Sequence, residues 1–223
     1  MSKRSDASKR LQEKIRKMNE KRLKPKPTRP LELLNQRRKA LASLIAKKCK
    51  KSHLLVLDLD GTLISYGDPP RQSRQKENME AAAPQKDRRR RFLRPHFQKF
   101  MEQVSKNFDI VVFTMGTESH LRYFLKKYFG NYANVGLSRR WMHKNLKDIV
   151  PFLTLGKAIA FVDDDNRHYK FQSYKFLIEI PRWTAEDTTD EGLLDALGIL
   201  KARFPECFPT ESSSDSSSSS ESK

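Results

Sequence analysis

Cysteine is scarce in this chain, acids are outnumbered by bases, and apolar runs are short. Only Cys49 and Cys207 occur, far apart and without metal-ligand spacing. A disulfide framework therefore has little support, and two reduced thiols in a nuclear or cytosolic setting are the expected state. No stretch approaches the roughly 18 apolar residues that a membrane-spanning helix requires. The N-terminus is basic but lacks an apolar core, which argues against a secretory signal. A mitochondrial address remains an alternative, although Asp6, Glu13 and Glu20 interrupt the acid-poor pattern of such segments.

What the chain does have is positive charge. Among 223 residues, 45 Lys and Arg stand against 27 Asp and Glu, a formal net charge of +18. That favours an anionic partner such as nucleic acid, a membrane surface or a phosphorylated protein, and says nothing about fold. Residues 1–51 carry 19 of the bases and only 4 acids, so most of the imbalance lies in an N-terminal extension. Within residues 1–52, Leu11, Ile15 and Met18 form one helical stripe. Leu31, Leu34, Leu41, Leu44 and Ile45 form another, with the Lys-Pro-Lys-Pro run at 24–27 between them. Clusters around Lys24–Lys26 and Lys47–Lys51 offer a nucleic-acid contact or a nuclear import signal.

Residues 53–206 read as an α/β domain. His53–Leu59, Asp109–Thr114, Ala158–Val162 and Lys175–Ile180 are short, β-rich apolar runs. Helical patterns lie between and after them: Pro95–Lys106, Glu118–Phe129 and Asp187–Arg203. Alternating strands and helices imply a parallel sheet covered on both faces. Residues 66–91 are polar and proline-containing and read as a mobile insertion. Residues 207–223 end in a run of Ser, Glu and Asp that is too polar to build a core; its serines beside acids are plausible phosphorylation sites.

The chemistry concentrates in Asp58-Leu59-Asp60-Gly61-Thr62-Leu63, directly after the first strand. Ligands of open α/β sheets bind at the carboxyl ends of strands. Two carboxylates two residues apart at such an end can both reach a ligand: Asp58 is the expected nucleophile toward phosphorus and Asp60 the expected acid and then base. Gly61 permits the sharp exit, and the Thr62 hydroxyl is expected to lock the first carboxylate. Thr114 ends the second strand, where its hydroxyl and the following amides of Met115 and Gly116 suit a phosphoryl oxygen. Charge developing on the phosphoryl group needs a lysine, and Lys144, Lys147 and Lys157 all precede the third strand. Asp163, Asp164 and Asp165 crowd one strand end and call for a cation, best a hard one such as Mg²⁺. The five histidines show no metal spacing and read as structural or surface residues. Trp141 and Trp183 read as core anchors.

DLDGTL resembles the first motif of the haloacid dehalogenase superfamily. Arg94-Pro95-His96, Val112–Thr117 (VFTMGT), Lys147-Asp148-Ile149, Val162-Asp163-Asp164 and Ile180–Trp183 (IPRW) resemble, in order, the motifs of its Fcp/Scp-type, NLI-interacting-factor-like branch. That branch acts on the RNA polymerase II C-terminal domain. The resemblance covers about residues 53–205 and implies the fold: a HAD-like parallel sheet with a small polar flap insertion. It implies Mg²⁺ held by Asp58, Asp164 and the Asp60 carbonyl, with Asp163 beside them and turned toward Lys147. It singles out Lys147 among the lysines and puts Thr62, Arg94, Met115 and Gly116 at the substrate. His96 stands where the branch has glycine, Asp165 where it has arginine, and the flap is poor in strand-forming residues.

The expected function is thus a Mg²⁺-dependent protein Ser/Thr phosphatase, nuclear and monomeric, with a phosphoprotein substrate and no membrane span. The alternative is an inactive relative on the same fold, using the basic arm for RNA binding or mitochondrial import. A small-molecule phosphatase is a third reading, disfavoured because such enzymes usually carry a larger cap. The joint presence of Asp58, Asp60, Lys147 and Asp164 favours the enzyme.

Overall fold

The first strand, β1 (His53–Leu57), shows how the sheet is built, because its successive residues face opposite ways. Leu54 and Val56 enter one apolar cluster, and Leu55 and Leu57 enter the other. The computed structural model describes Glu13 and residues 29–67, 90–130, 132–169 and 175–209. The stripe at Leu11, Ile15 and Met18, the insertion from 68 to 89 and the Ser-rich tail from 210 lie outside the described residues.

The elements run in the following order. Helix α1 (Arg29–Lys48) precedes β1, and the hairpin strands β2 (Ile64–Gly67) and β3 (Arg90–Leu93) follow it. Next come α2 (Phe97–Asn107), β4 (Phe108–Phe113), α3 (Glu118–Phe124) and β5 (Ala133–Leu137). The chain continues through the short α4 (Val150–Leu153), β6 (Ala158–Asp163), β7 (Leu177–Glu179) and α5 (Gly192–Arg203). The main sheet has the order β5-β4-β1-β6-β7, and every pair in it is parallel. From β1 the chain moves to β4 and β5 on one side, then returns to β6 and β7 on the other. The C-terminal end of β1 is therefore a topological switch point, where α/β sheets open a crevice.

Helices cover both faces. Phe97, Phe100, Met101 and Val104 follow a three-and-four spacing on α2 and pack with Leu193, Ala196, Leu197 and Leu200 of α5. The opposite face receives Leu41, Ile45 and Cys49 from α1 and its end, together with Phe152 and Tyr169. The chain divides into compact units at Lys39 and Ala40. Residues 40–52, assigned from sequence to the basic extension, thus pack on the sheet. The apolar stripe of α1 is split: Leu41 and Ile45 are buried while Leu31 is exposed.

Three sequence expectations need correction or addition. β5 carries little local signal of a strand, because ANVGL has few of the residues that mark one. The ends of the polar insertion form an antiparallel hairpin, with Tyr66 opposite Arg91 and Ile64 opposite Leu93. Strand pairing there comes from tertiary packing rather than propensity. The terminal helix begins at Gly192, not at 187. His96, in place of the branch's glycine, keeps the left-handed backbone with φ of 64°. A non-glycine residue bears some strain there. No described helix is long and apolar enough to cross a membrane.

Ile45→Ala is expected to cost about 2–4 kcal/mol in urea denaturation, since it opens a cavity in the sheet-facing cluster. Leu33→Ala, at a position 57% exposed on the same helix, is expected to stay within about 0.5 kcal/mol.

Candidate active site

Asp58 follows β1 directly, and its N–H donates to the Val162 carbonyl of β6 at 2.9 Å. The chain then turns tightly. The Leu59 carbonyl accepts from the amides of Leu63 and Ile64, and Gly61 N–H donates to the Ile64 carbonyl at 2.7 Å. Gly61 has a φ of 91°, and a Cβ there would lie 2.6 Å from Asp164 Oδ2. Glycine is thus required both by conformation and by close approach. Trp183 braces the turn by donating its N–H to the Gly61 carbonyl at 2.8 Å.

At the centre of the site Lys147 is buried. Its Nζ donates to Asp58 Oδ1 at 2.6 Å and also to Asp163 Oδ2. Its N–H donates to the His168 carbonyl, which fixes the loop that carries it. Of the three candidate lysines, only this one reaches Asp58. Lys157 instead bonds the Lys51 carbonyl near Asp109. Burial works against the Lys147 charge, but the two carboxylates outweigh it and hold its pKa above the ordinary lysine value. Burial pushes the Asp58 carboxyl up to about 7, against the pull of Lys147 and with help from Asp163 and Asp164. Asp163 is further held by Tyr169 Oη at 2.8 Å and by the Asp165 amide at 2.9 Å.

Asp60 points to a different set of partners. Its Oδ2 accepts from Thr114 Oγ1 at 2.9 Å, and its Oδ1 accepts from His120 Nε2 at 2.9 Å and from the Tyr66 hydroxyl at 3.3 Å. Burial opposes ionisation of Asp60, but these donors outweigh it and hold its pKa below the usual aspartate value. Sequence reading missed His120, which it took as structural or surface. It could not have been found from spacing, because it approaches Asp60 only through the packing of α3.

The remaining expected residues divide. Asp58, Asp60, Thr114, Met115, Asp163 and Asp164 line one cavity of about 160 Å³, with Arg182 also on its wall. Thr62 does not bond the first carboxylate. Its hydroxyl donates to Asp164 Oδ1 at 2.8 Å and accepts from the Asp164 amide. The Gly116 N–H is already engaged, donating to Thr114 Oγ1 at 2.9 Å, and the His120 ring packs where a Cβ would stand. Arg94 is also not at the cavity. It is buried and bidentate on Asp190, at 2.5 and 2.7 Å, and donates to the Thr62 and Pro181 carbonyls. Its guanidinium ties the Asp58 turn to the loop before α5, a structural rather than a substrate-facing position. Asp165 caps the following turn and pairs with Arg167 at 2.7 Å.

The donor set suits a metal. The carboxylates of Asp58, Asp163 and Asp164 bring ligand atoms within 4.8 Å of one another. Asp164 is pushed above the ordinary aspartate value, chiefly by burial. Lys147 and the rim residue Arg182, 3.1 Å from Asp164 Oδ2, are the cations that face these three acids. Oxygen-only donors and surplus negative charge fit a hard divalent ion. The Asp60 carboxylate lies outside the group, which leaves only its main-chain carbonyl for the expected metal role.

A parallel sheet carrying an Asp-x-Asp loop at its switch point, with a buried lysine and an acidic pair on neighbouring strand ends, defines a HAD-like α/β fold. The sequence profile of the NLI interacting factor-like phosphatases matches residues 53–207, and the chain belongs to that family. No curated protein matches it. Among solved structures it is similar to a variant of the fission yeast RNA polymerase II CTD phosphatase Fcp1 bound to beryllium fluoride. That match has 17% identity and a TM-score of 0.44, over 78% of this chain and 56% of the other. It is also similar to Fcp1 described as an essential RNA polymerase II CTD phosphatase, at 17% identity and a TM-score of 0.45, over 78% and 55%. The chain thus spans about half the length of these structures.

Asp190→Asn is expected to destabilise the protein by about 3–5 kcal/mol, because it leaves the Arg94 charge buried and unpaired. Burial opposes the Asp190 charge, but Arg94 outweighs it and lowers the folded pKa. The stability gap between wild type and variant is therefore full above about pH 4 and closes as pH falls through the folded value. Urea melts across that range check both points.

Proposed function

We propose that this phosphatase is Mg²⁺-dependent and removes phosphate from serine or threonine side chains of proteins, through an aspartyl-phosphate on Asp58. The observation that carries the reading is the buried Lys147 joined to Asp58 and Asp163, with Asp60 held separately beside them. A lysine locked against a surface carboxylate is commonplace. One sealed between two carboxylates at a switch point is poised to meet charge developing on a phosphoryl group.

In the first step an Asp58 oxygen forms a bond to phosphorus while the bond to the seryl or threonyl oxygen breaks. Asp60 passes a proton to that departing oxygen. The donors around Asp60 favour its ionised form, and a phosphomonoester monoanion, whose second ionisation lies near about 6, can bring the proton with it. In the second step Asp60 takes a proton from water, which attacks phosphorus and releases Asp58. Lys147 compensates charge through both steps, and Thr114 and Asp60 keep each other oriented. Asp58, Asp164 and the Asp60 carbonyl would hold Mg²⁺, which supplies charge neutralisation for two anions brought together.

The Thr-Met-Gly-Thr and Ile-Pro-x-Trp matches support a protein substrate, and the polymerase C-terminal domain is the first to test. A nuclear site of action suits that substrate and the basic N-terminus. The intact set of Asp58, Asp60, Lys147 and Asp164 weighs against an inactive relative.

With Mg²⁺, the purified protein is expected to turn over p-nitrophenyl phosphate and phosphoserine peptides. Asp58→Asn should lower kcat by more than about 10³-fold, and chelation should stop turnover until Mg²⁺ is restored. Equal turnover by Asp58→Asn and wild type would remove the basis of the assignment.

A further inference from the structure

The Asp60 carboxylate is oriented by two residues that no motif names. His120 is the third residue of α3, and its side chain is 17% exposed. Its Nε2 lies 2.9 Å from Asp60 Oδ1 and 3.2 Å from Oδ2. An ionised carboxylate only accepts, so Nε2 carries the hydrogen in this contact. Tyr66 comes from the flap strand β2. Its hydroxyl stands 3.3 Å from Asp60 Oδ1 and 3.1 Å from His120 Nδ1.

The seating of His120 is built from several directions. A Cβ on Gly116 would lie 2.6 Å from His120 Cδ2, so the glycine makes room for the ring. Phe124 packs against the imidazole with ring centres 4.8 Å apart. Arg91, opposite Tyr66 in the hairpin, lays its guanidinium 4.7 Å from the Tyr123 ring centre, which ties the flap to the helix that carries His120. Neither His120 nor Tyr66 lines the cavity that holds Asp58 and the acidic pair. They meet the site through Asp60.

We propose that His120 and Tyr66 are positioning residues that fix the Asp60 carboxylate, so that proton transfer to the departing oxygen depends on them while phosphate binding does not. The inference rests on the reading of Asp60 as proton donor. In that step the P–O bond to the leaving group breaks, and the proton on Asp60 ends on the departing oxygen. A leaving group that is stable as an anion has little need of that proton, whereas a seryl alkoxide cannot leave without it.

The test compares kcat/KM for dinitrophenyl phosphate with kcat/KM for a phosphoserine peptide, using full-length protein and Mg²⁺. His120→Leu is expected to lose about 10–100-fold on the peptide and less than about threefold on the aryl phosphate. His120→Gln keeps an N–H donor at similar reach and should recover most of the peptide activity. Tyr66→Phe removes one hydroxyl and should show the same selective loss, smaller in size. Tyr66→Phe leaves His120 in place, so it decides the matter where a His120→Leu protein fails to fold. Equal losses on both substrates, no loss on either, or a folded His120→Gln protein no better than His120→Leu each overturn the inference. Absence of any wild-type turnover sinks the phosphatase reading itself, whereas the other contrary results sink this inference alone.

Discussion

The site depends on one buried ammonium group. Lys147 Nζ joins the end of β1, through Asp58, to the end of β6, through Asp163. Burying an isolated charge is prohibitive, and a buried pair contributes stability only when its geometry and remaining hydrogen bonds are good. Here those remaining hydrogen bonds are supplied. Tyr169 and the Asp165 amide hold Asp163, and the Lys147 backbone is fixed to His168. Two carboxylates around one lysine still leave a surplus of negative charge, and Asp164 adds to it. Burial raises Asp58 and Asp164, while the Asp58 and Asp163 carboxylates raise Lys147 against its burial. A hard cation would relieve that surplus.

The neighbouring supports serve the same cluster from outside. Arg94 is fully enclosed and bonded to Asp190, to the Thr62 carbonyl and to Pro181. It holds the turn after β1 against the C-terminal segment. Gly192 is the counterpart of this clamp, because a Cβ there would lie 2.2 Å from an Arg94 guanidinium nitrogen. Thr62 then faces Asp164 with both a donor and an acceptor contact. A residue distant from the chemistry thus determines where a carboxylate of the cavity stands.

Charge is partitioned in opposite senses along the chain. The first 51 residues hold most of the formal +18, while the cavity wall is dominated by carboxylates. A phosphate group entering the cavity is opposed by those carboxylates unless they are neutralised. Exposed charges farther apart than about 8–10 Å are largely screened at physiological salt. Among the described residues, Arg182 on the cavity wall and Lys147 buried behind it are cations bonded to these carboxylates.

Most of the fold was legible because its signals are local. β1, β4 and β6 are apolar runs of five or six residues, and helices α2 and α3 show spacing that names their buried faces. β5 and the hairpin were not, since their residues pair through neighbours rather than through their own preference. Within the site, residues that follow a strand end were readable, because strand ends converge by topology: Asp58, Thr114 and Asp163 all stand there. Residues that reach the site across the fold were not. His120 and Tyr66 lie on a helix and a flap whose approach no spacing encodes. Arg94 looked like a substrate residue because a motif contained it, and its partner Asp190 lies 96 positions away. Gly116 is the instructive case. Its place in the motif suggested an anion cradle, while in the fold the same missing Cβ makes room for the His120 ring. A glycine in a motif records only that something approaches closely, and packing decides whether that is a ligand or another side chain.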